Sequence, residues 1–259
     1  MFGRFYRTLK DYKDLVLQLT ISDLKTNTAR TYLGFFWWIF DPILYMLVFY
    51  LLIEVILNRG GPNYSVFLFT ALIPLKWTIS CLVDSTNEIA SKSSIISQIF
   101  VPKVVFILVR FIINTLKFSI SCIVLFIFLL LYGIDITLLI LYFPLILIVH
   151  GLFLFSIMLI LAHIGIFIRD MKNLLQYFTR FLFYLSPVMF SLETVPEQLV
   201  KYLYLNPLTT LIESYRNVLM YGKEPQFIGL AIIFIIGIVM LKLGLSIVFK
   251  YDKKYVKVI

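Results

Sequence analysis

Long apolar runs separated by short polar links dominate the chain, and the runs have the length of membrane spans. A helix rising about 1.5 Å per residue needs about 20 apolar residues to cross a hydrocarbon core of about 30 Å. Runs of that kind occupy Gly34–Leu57, Tyr64–Val83, Val104–Tyr132, Leu138–Ile168, Leu174–Leu192 and Phe227–Phe249. The pattern predicts an all-α membrane protein of six spans. Several runs exceed the needed length, so tilt or helix beyond the lipid is expected.

The links carry patterns of their own. Before the first span, Leu9, Tyr12, Leu15, Val16 and Leu19 recur on one helical face, with Lys10, Asp14 and Gln18 opposite. A basic amphipathic helix there is predicted to lie in the membrane interface. The link Asp84–Pro102 is serine-rich and then apolar at Ile95, Ile96, Ile99 and Phe100. A short helix there would offer an apolar face to a protein groove outside the membrane. Between the fourth and fifth runs, Arg169, Asp170 and Lys172 form a tight polar tip, read either as a solvated turn or as a docking point.

Ser186-Pro187 should break the fifth run, since proline removes a backbone donor and disfavours helix in the residue before it. After it, Thr194-Val-Pro-Glu197 has the form of a capping box opening a helix from Val195 to about Leu205. Asn206-Pro207 reads as a second helix start and Gly222 as its stop. Leu208, Leu211, Ile212, Tyr215 and Leu219 repeat at helical spacing between them. Two short interfacial or re-entrant helices are therefore predicted to cover the outer ends of the spans.

Composition sharpens the class. Of 259 residues, 61% are hydrophobic and 14% charged, with a mean hydropathy of +0.97. A soluble domain has about 45–50% apolar and about 25% charged residues. Cys81 and Cys122 both fall in apolar runs, and the polar first 33 residues show no cleavable signal. The flanking charges set orientation. Six Lys and Arg precede the first span and four lie in the tail from Lys250, while the link after the third span has none. Six spans with both termini in the cytoplasm satisfy this distribution. One transmembrane domain is predicted, with an interface helix in residues 1–33, spans in 34–249 and a cytoplasmic tail in 250–259. The formal charge of +9 is then mostly topology, with no need for nucleic acid.

Chemistry-bearing motifs are missing. The sequence has no Gly-x-x-x-x-Gly-Lys-Ser/Thr phosphate loop and no Cys/His metal spacing. His150 and His163 lie on the fourth run without a carboxylate nearby and read as packed, hydrogen-bonded residues. No cofactor, metal or catalytic residue is expected in this chain. Lys76 and Lys117 stand out instead, at comparable depth on consecutive antiparallel spans. A lysine at mid-membrane costs about 2.5–3.5 kcal/mol, so such residues pair, snorkel or face a polar cavity. With no acid read at matching depth, at least one of the two is expected to face a translocation route. Tyr177, Phe181 and Tyr184 share one face of the fifth run, suited either to helix packing or to lining that route.

Several ordered blocks resemble the permease subunit of type-2 ABC exporters for lipid-linked polysaccharides, which include O-antigen, capsule and teichoic acid exporters. They are Asp23-Leu-Lys with Thr31-Tyr-Leu-Gly34, Trp37 and Asp41-Pro42; Ala71-Leu-Ile-Pro74 with Trp77; and Ser97-Gln-Ile-Phe-Val-Pro102-Lys103. Arg169-Asp170, Ser186-Pro187-Val188, Tyr204-Leu-Asn206-Pro207 and Glu213-x-x-Arg216 with Gly222 complete the set. The family's Pro-Trp pair is here Pro74-Leu75, with tryptophan two residues later.

The resemblance implies a homodimer in a bacterial inner membrane, paired with two separate ATPase chains that hold ATP and Mg. It implies ATPase contacts through the N-terminal helix and the Asp84–Lys103 link, with the tip Arg169-Asp170 a further candidate. It also implies that the outer helices form an exit gate, which brings in Ser186, Pro187, Asn206, Pro207, Glu213 and Arg216. A type-2 exporter of a drug or small lipid, a channel and a membrane-embedded enzyme remain the alternative readings.

Overall fold

The computed structural model describes residues 1–255 apart from Arg30, Leu57, residues 59–62, Ile136 and Arg169, and apart from the side chain of Asn27. Every regular element among the described residues is helical. In chain order the α-helices are α1 (Phe2–Asp11), α2 (Lys13–Ala29), α3 (Trp37–Tyr50), α4 (Tyr64–Ser91), α5 (Ser93–Gln98) and α6 (Val104–Leu131). They continue with α7 (Phe143–Phe167), α8 (Met171–Leu185), α9 (Glu197–Leu203), α10 (Pro207–Arg216) and α11 (Phe227–Tyr255). A 3-10 turn, Gly34–Phe36, leads into α3, and π-helical turns, Leu51–Ile56 and Asn217–Tyr221, end α3 and α10.

Five stretches are long and apolar enough to cross a membrane: Gly34–Ile56, Tyr64–Gln98, Val104–Leu131, Leu138–Phe167 and Phe227–Tyr255. The chain is a multi-pass membrane protein. Each of these begins at the residue where a predicted run begins, because polar links and prolines mark those starts. The fifth predicted run, Leu174–Leu192, is different. Its helix, α8, has 15 residues, about 22 Å at about 1.5 Å each, and stops at Leu185. Ser186 is extended at φ −98° and ψ 149°, as a residue before proline prefers. Ser186, Pro187 and Val188 are buried, so this irregular backbone is enclosed by protein where lipid could not satisfy it.

Helix α4 is the hub. It packs against α3, α6, α7, α8 and α10, and Val66, Leu68, Ala71 and Cys81 along it are wholly buried. Helix α7 passes close to it at Gly165, where a Cβ would overlap the Thr86 carbonyl oxygen. Only a residue without a side chain permits that approach. Helix α11 closes the bundle against α7, with Gly237 and Gly244 on the shared face.

Three local expectations are corrected. The N-terminal segment is two helices that meet at Tyr12 rather than one. The predicted stripe survives the bend, since Tyr12, Leu15, Val16 and Leu19 pack against the core while Lys10, Asp14 and Gln18 are exposed. Thr194 does not open α9. Ser191 caps a 3-10 turn, Leu192–Thr194, by accepting from the Glu193 N–H at 3.3 Å, and Pro196 stands at the start of α9. The link after α4 is also not a single apolar face. Ile96 is 5% exposed within the chain's own core and Ile95 is half-buried, while Ile99 and Phe100 are 50% and 61% exposed. Helix α5 ends at Gln98 and Ile99 is extended, which turns these two residues away from Ile96.

Candidate functional site

Two ends of the bundle and one cavity between them carry the polar groups. At the end away from the termini, Asn206 behaves as the sequence predicts, its Oδ1 accepting from the Leu208 N–H at 3.0 Å, with Pro207 in the first turn of α10. Gly222 ends the following π-helical turn at φ +55°. The Asn206 Nδ2 also donates to Ser186 Oγ at 2.9 Å, and that hydroxyl donates to the Leu182 carbonyl at 2.6 Å. The break after α8 and the start of α10 are thereby tied together.

Arg216 completes this cluster and is wholly buried. Its Nε and Nη2 donate to the Phe67 carbonyl at 3.3 and 3.2 Å, and Nη2 also donates to the Val188 carbonyl at 2.9 Å. Nη1 reaches Glu213 Oε1 at 3.0 Å, and the guanidinium lies 3.4 Å from the Phe67 ring centre. Burial pulls its pKa down to about 10 against the opposing effect of Glu213, which leaves it charged at neutral pH. One side chain thus holds α10, the start of α4 and the segment after α8.

At the termini end the sequence reading missed a set of ion pairs. Lys92 Nζ donates to both Asp23 oxygens at 2.7 and 2.8 Å, joining α2 to the α4–α5 link. Arg110 Nε donates to Glu88 Oε2 at 2.5 Å, with Glu88 only 1% exposed. The Lys103 N–H donates to Asp252 Oδ1 at 3.0 Å, and its buried amine lies 3.7 Å from the same oxygen. The partners are 22 to 149 residues apart, so no sequence window shows them together. His150 is a buried bridge between Thr78 Oγ1 at 2.9 Å and the Tyr215 hydroxyl at 3.3 Å. Among the described residues no cluster of three or more His, Cys, Asp or Glu could hold a metal ion.

Between the two ends, α3, α4 and α6 enclose a cavity of about 270 Å³. Lys76 and Lys117 both line it, as do Trp37, Trp38, Trp77 and Asn114. The expectation that no acid lies near these lysines is corrected: Asp41 of α3 forms an ion pair with Lys76. Asp41 lies seven residues into the first run, about 10 Å at about 1.5 Å per residue, which is the depth of the two lysines, so the same count along that run reveals it. Among the described residues Lys117 has no acid within ion-pair distance, and its amine lies 5.7 Å from the Trp38 ring centre. Asn114 Nδ2 donates to Asp84 Oδ2 at 3.2 Å.

A second cleft of about 740 Å³, between α3, α4 and α8, shares Tyr45 and Ser80 with the first. Tyr184 lines it, whereas Tyr177 and Phe181 do not. All three are more than 60% exposed, and α8 packs instead through Leu175, Thr179 and Phe183. The stripe therefore does not serve packing within this chain. Asp170 is exposed at the start of α8, and Arg169 lies outside the described residues.

A family model described as ABC-2 type transporter matches residues 15–220. An O-antigen export system permease protein of Klebsiella pneumoniae is 28% identical over 247 residues, covering 95% of each chain. A protein of the same description from Myxococcus xanthus is 26% identical over 246 residues, covering 94% of this chain and 95% of its own. A polysialic acid transport protein of Escherichia coli is 26% identical over 242 residues, covering 91% of this chain and 92% of its own. With the family match spanning well over half of its length, and with the membrane helices to fit, the chain belongs to the ABC-2 type transporters.

Proposed function

We propose that this chain is the membrane subunit of an ATP-driven exporter that carries a lipid-linked glycan from the cytoplasmic to the outer face of a bacterial inner membrane. The observation that carries this reading is the similarity, over more than nine-tenths of the chain, to proteins named for O-antigen export and for polysialic acid transport. In it α8 is the fifth of six spans, both termini are cytoplasmic, and α9 and α10 cover the outer ends as a gate. The Lys and Arg distribution supports that orientation. A homodimer with two ATPase subunits fits the exposed aromatic faces of α3 and α8, which offer flat surfaces along which sugar rings can slide. Cells lacking the chain are expected to accumulate lipid-linked glycan beyond the reach of a membrane-impermeant glycan label, and re-expression should restore labelling. Unchanged surface labelling together with lost tolerance to a small toxic molecule would transfer the assignment to drug export.

Coupling to an ATPase is proposed to use Ile99 and Phe100, the exposed half of the predicted face. The double substitution Ile99→Asp with Phe100→Asp should cut the co-purifying ATPase more than tenfold and leave the melting temperature of the permease unchanged. Ile96→Asp should instead lower that temperature, because it places a charge in the core. Full ATPase recovery with the exposed pair replaced would remove these residues from the interface.

A further inference from the structure

The α3–α4–α6 cavity contains polar atoms that packing does not explain. Among the described residues Trp77 Nε1 and Asn114 Oδ1 are buried without a hydrogen-bond partner, their residues being only 3% and 2% exposed. Buried polar groups in native proteins are nearly always paired, so unpaired ones on residues that line a cavity point to an absent occupant. The volume would hold about nine waters at about 30 Å³ each, enough for a headgroup but not for a polymer. Among the lining side chains the donors outnumber the acceptors, with two ammonium groups and the indole N–H of Trp77 against Asn114 Oδ1 and Asp41, while the Ser121 hydroxyl already donates to the Lys117 carbonyl.

Asp41 is the informative residue. It neutralises Lys76 yet its side chain is 56% exposed at the rim, so packing within the chain does not lock it onto the lysine. Among the described residues Lys117 has no acid within ion-pair distance, and its amine lies by the face of Trp38. The cavity walls therefore carry one cation more than they neutralise. Indole faces, ammonium donors and one acceptor for a hydroxyl together suit a phosphate ester joined to a sugar or another polyol.

We propose that this cavity binds the phosphate-bearing headgroup of an amphiphile, with Asp41 holding the place of the phosphate on Lys76 until the headgroup arrives. Resting on the export reading, the headgroup is the diphosphate–sugar junction of the lipid-linked glycan. An anionic phospholipid of the bilayer presents the same chemistry.

The protein supplies its own reporter, because its three tryptophans, Trp37, Trp38 and Trp77, all line this cavity. The full chain in an uncharged polyoxyethylene detergent would be titrated with a short-chain isoprenyl diphosphate N-acetylglucosamine, with phosphatidylglycerol and with an uncharged alkyl glucoside. A saturable change in tryptophan emission is expected with a phosphate-bearing ligand and not with the glucoside. Lys117→Gln should weaken it at least tenfold. Asp41→Asn should tighten it about threefold or more, since a competing anion is removed; damage to the fold cannot produce that sign. Saturation by the isoprenyl diphosphate sugar alone supports the site and identifies its cargo. Saturation by phosphatidylglycerol alone supports the site but assigns it to bilayer lipid, and the surface-label experiment then judges export separately. No saturation by either phosphate, an equal response to the glucoside, or weaker binding in Asp41→Asn overturns the proposal.

Discussion

Adding one methyl group at Gly165 is expected to push α4 and α7 apart and to cost about 3 kcal/mol or more, at or above the usual range for overpacking. The new Cβ would overlap the Thr86 carbonyl oxygen and lie 2.7 and 2.9 Å from the Thr86 carbonyl carbon and Cα. These are backbone atoms of a helix and have no rotamer through which to escape. Helix α4 also touches α3, α6, α8 and α10, so its displacement spreads through the bundle. Thermal unfolding of purified Gly165→Ala should show a clear fall in melting temperature. Gly3→Ala is the control, because nothing lies within 4 Å of a Cβ there. Equal melting temperatures for the two variants would mean that the helices separate without cost.

Loss of Arg216 is expected to be as severe at the other end. Removing one partner from a buried, hydrogen-bonded ion pair costs about 3–5 kcal/mol. Here Arg216→Ala also abandons the Phe67 and Val188 carbonyls, releasing the segment after α8 from α10. Arg216→Lys should rescue little, because a single ammonium cannot reproduce the planar fork that serves Glu213 and two carbonyls at once. Arg216→Glu should abolish surface labelling of the glycan while membrane insertion, read by carbonate extraction, stays normal. Full export by the Ala and Glu variants would show α10 to be a passive cover.

Hydrophobic period and punctuation make most of the architecture legible in the sequence itself. The starts at Tyr64, Val104, Leu138 and Phe227, the Asn206 cap and the Gly222 stop are all written in adjacent residues. What escapes depends on distance or competition. Hydropathy alone runs on through Ser186-Pro187, and only the proline, read as a break, gives α8 its real end at Leu185. Thr194 matches a capping box, but Ser191 three residues earlier has already turned the chain. The two lysines are legible as a pair and their cavity is not, because Asp41, Trp38 and Asn114 reach it from separate helices. Ile96 shows the limit of reading one face from four apolar residues: a single break after Gln98 divides them between core and surface.

The clamp between Lys103 and Asp252 has a consequence in time. Synthesis from the N-terminus exposes Lys103 long before its acid exists, and 149 residues separate them. At about 5–20 residues per second that is a wait of roughly 7–30 s. During this interval the first turn of α6 lacks the carboxylate that caps it, and the lysine must keep its charge in water. The inserted first half of the chain is therefore held open at this corner until α11 arrives, which makes the last helix the one that locks the assembly.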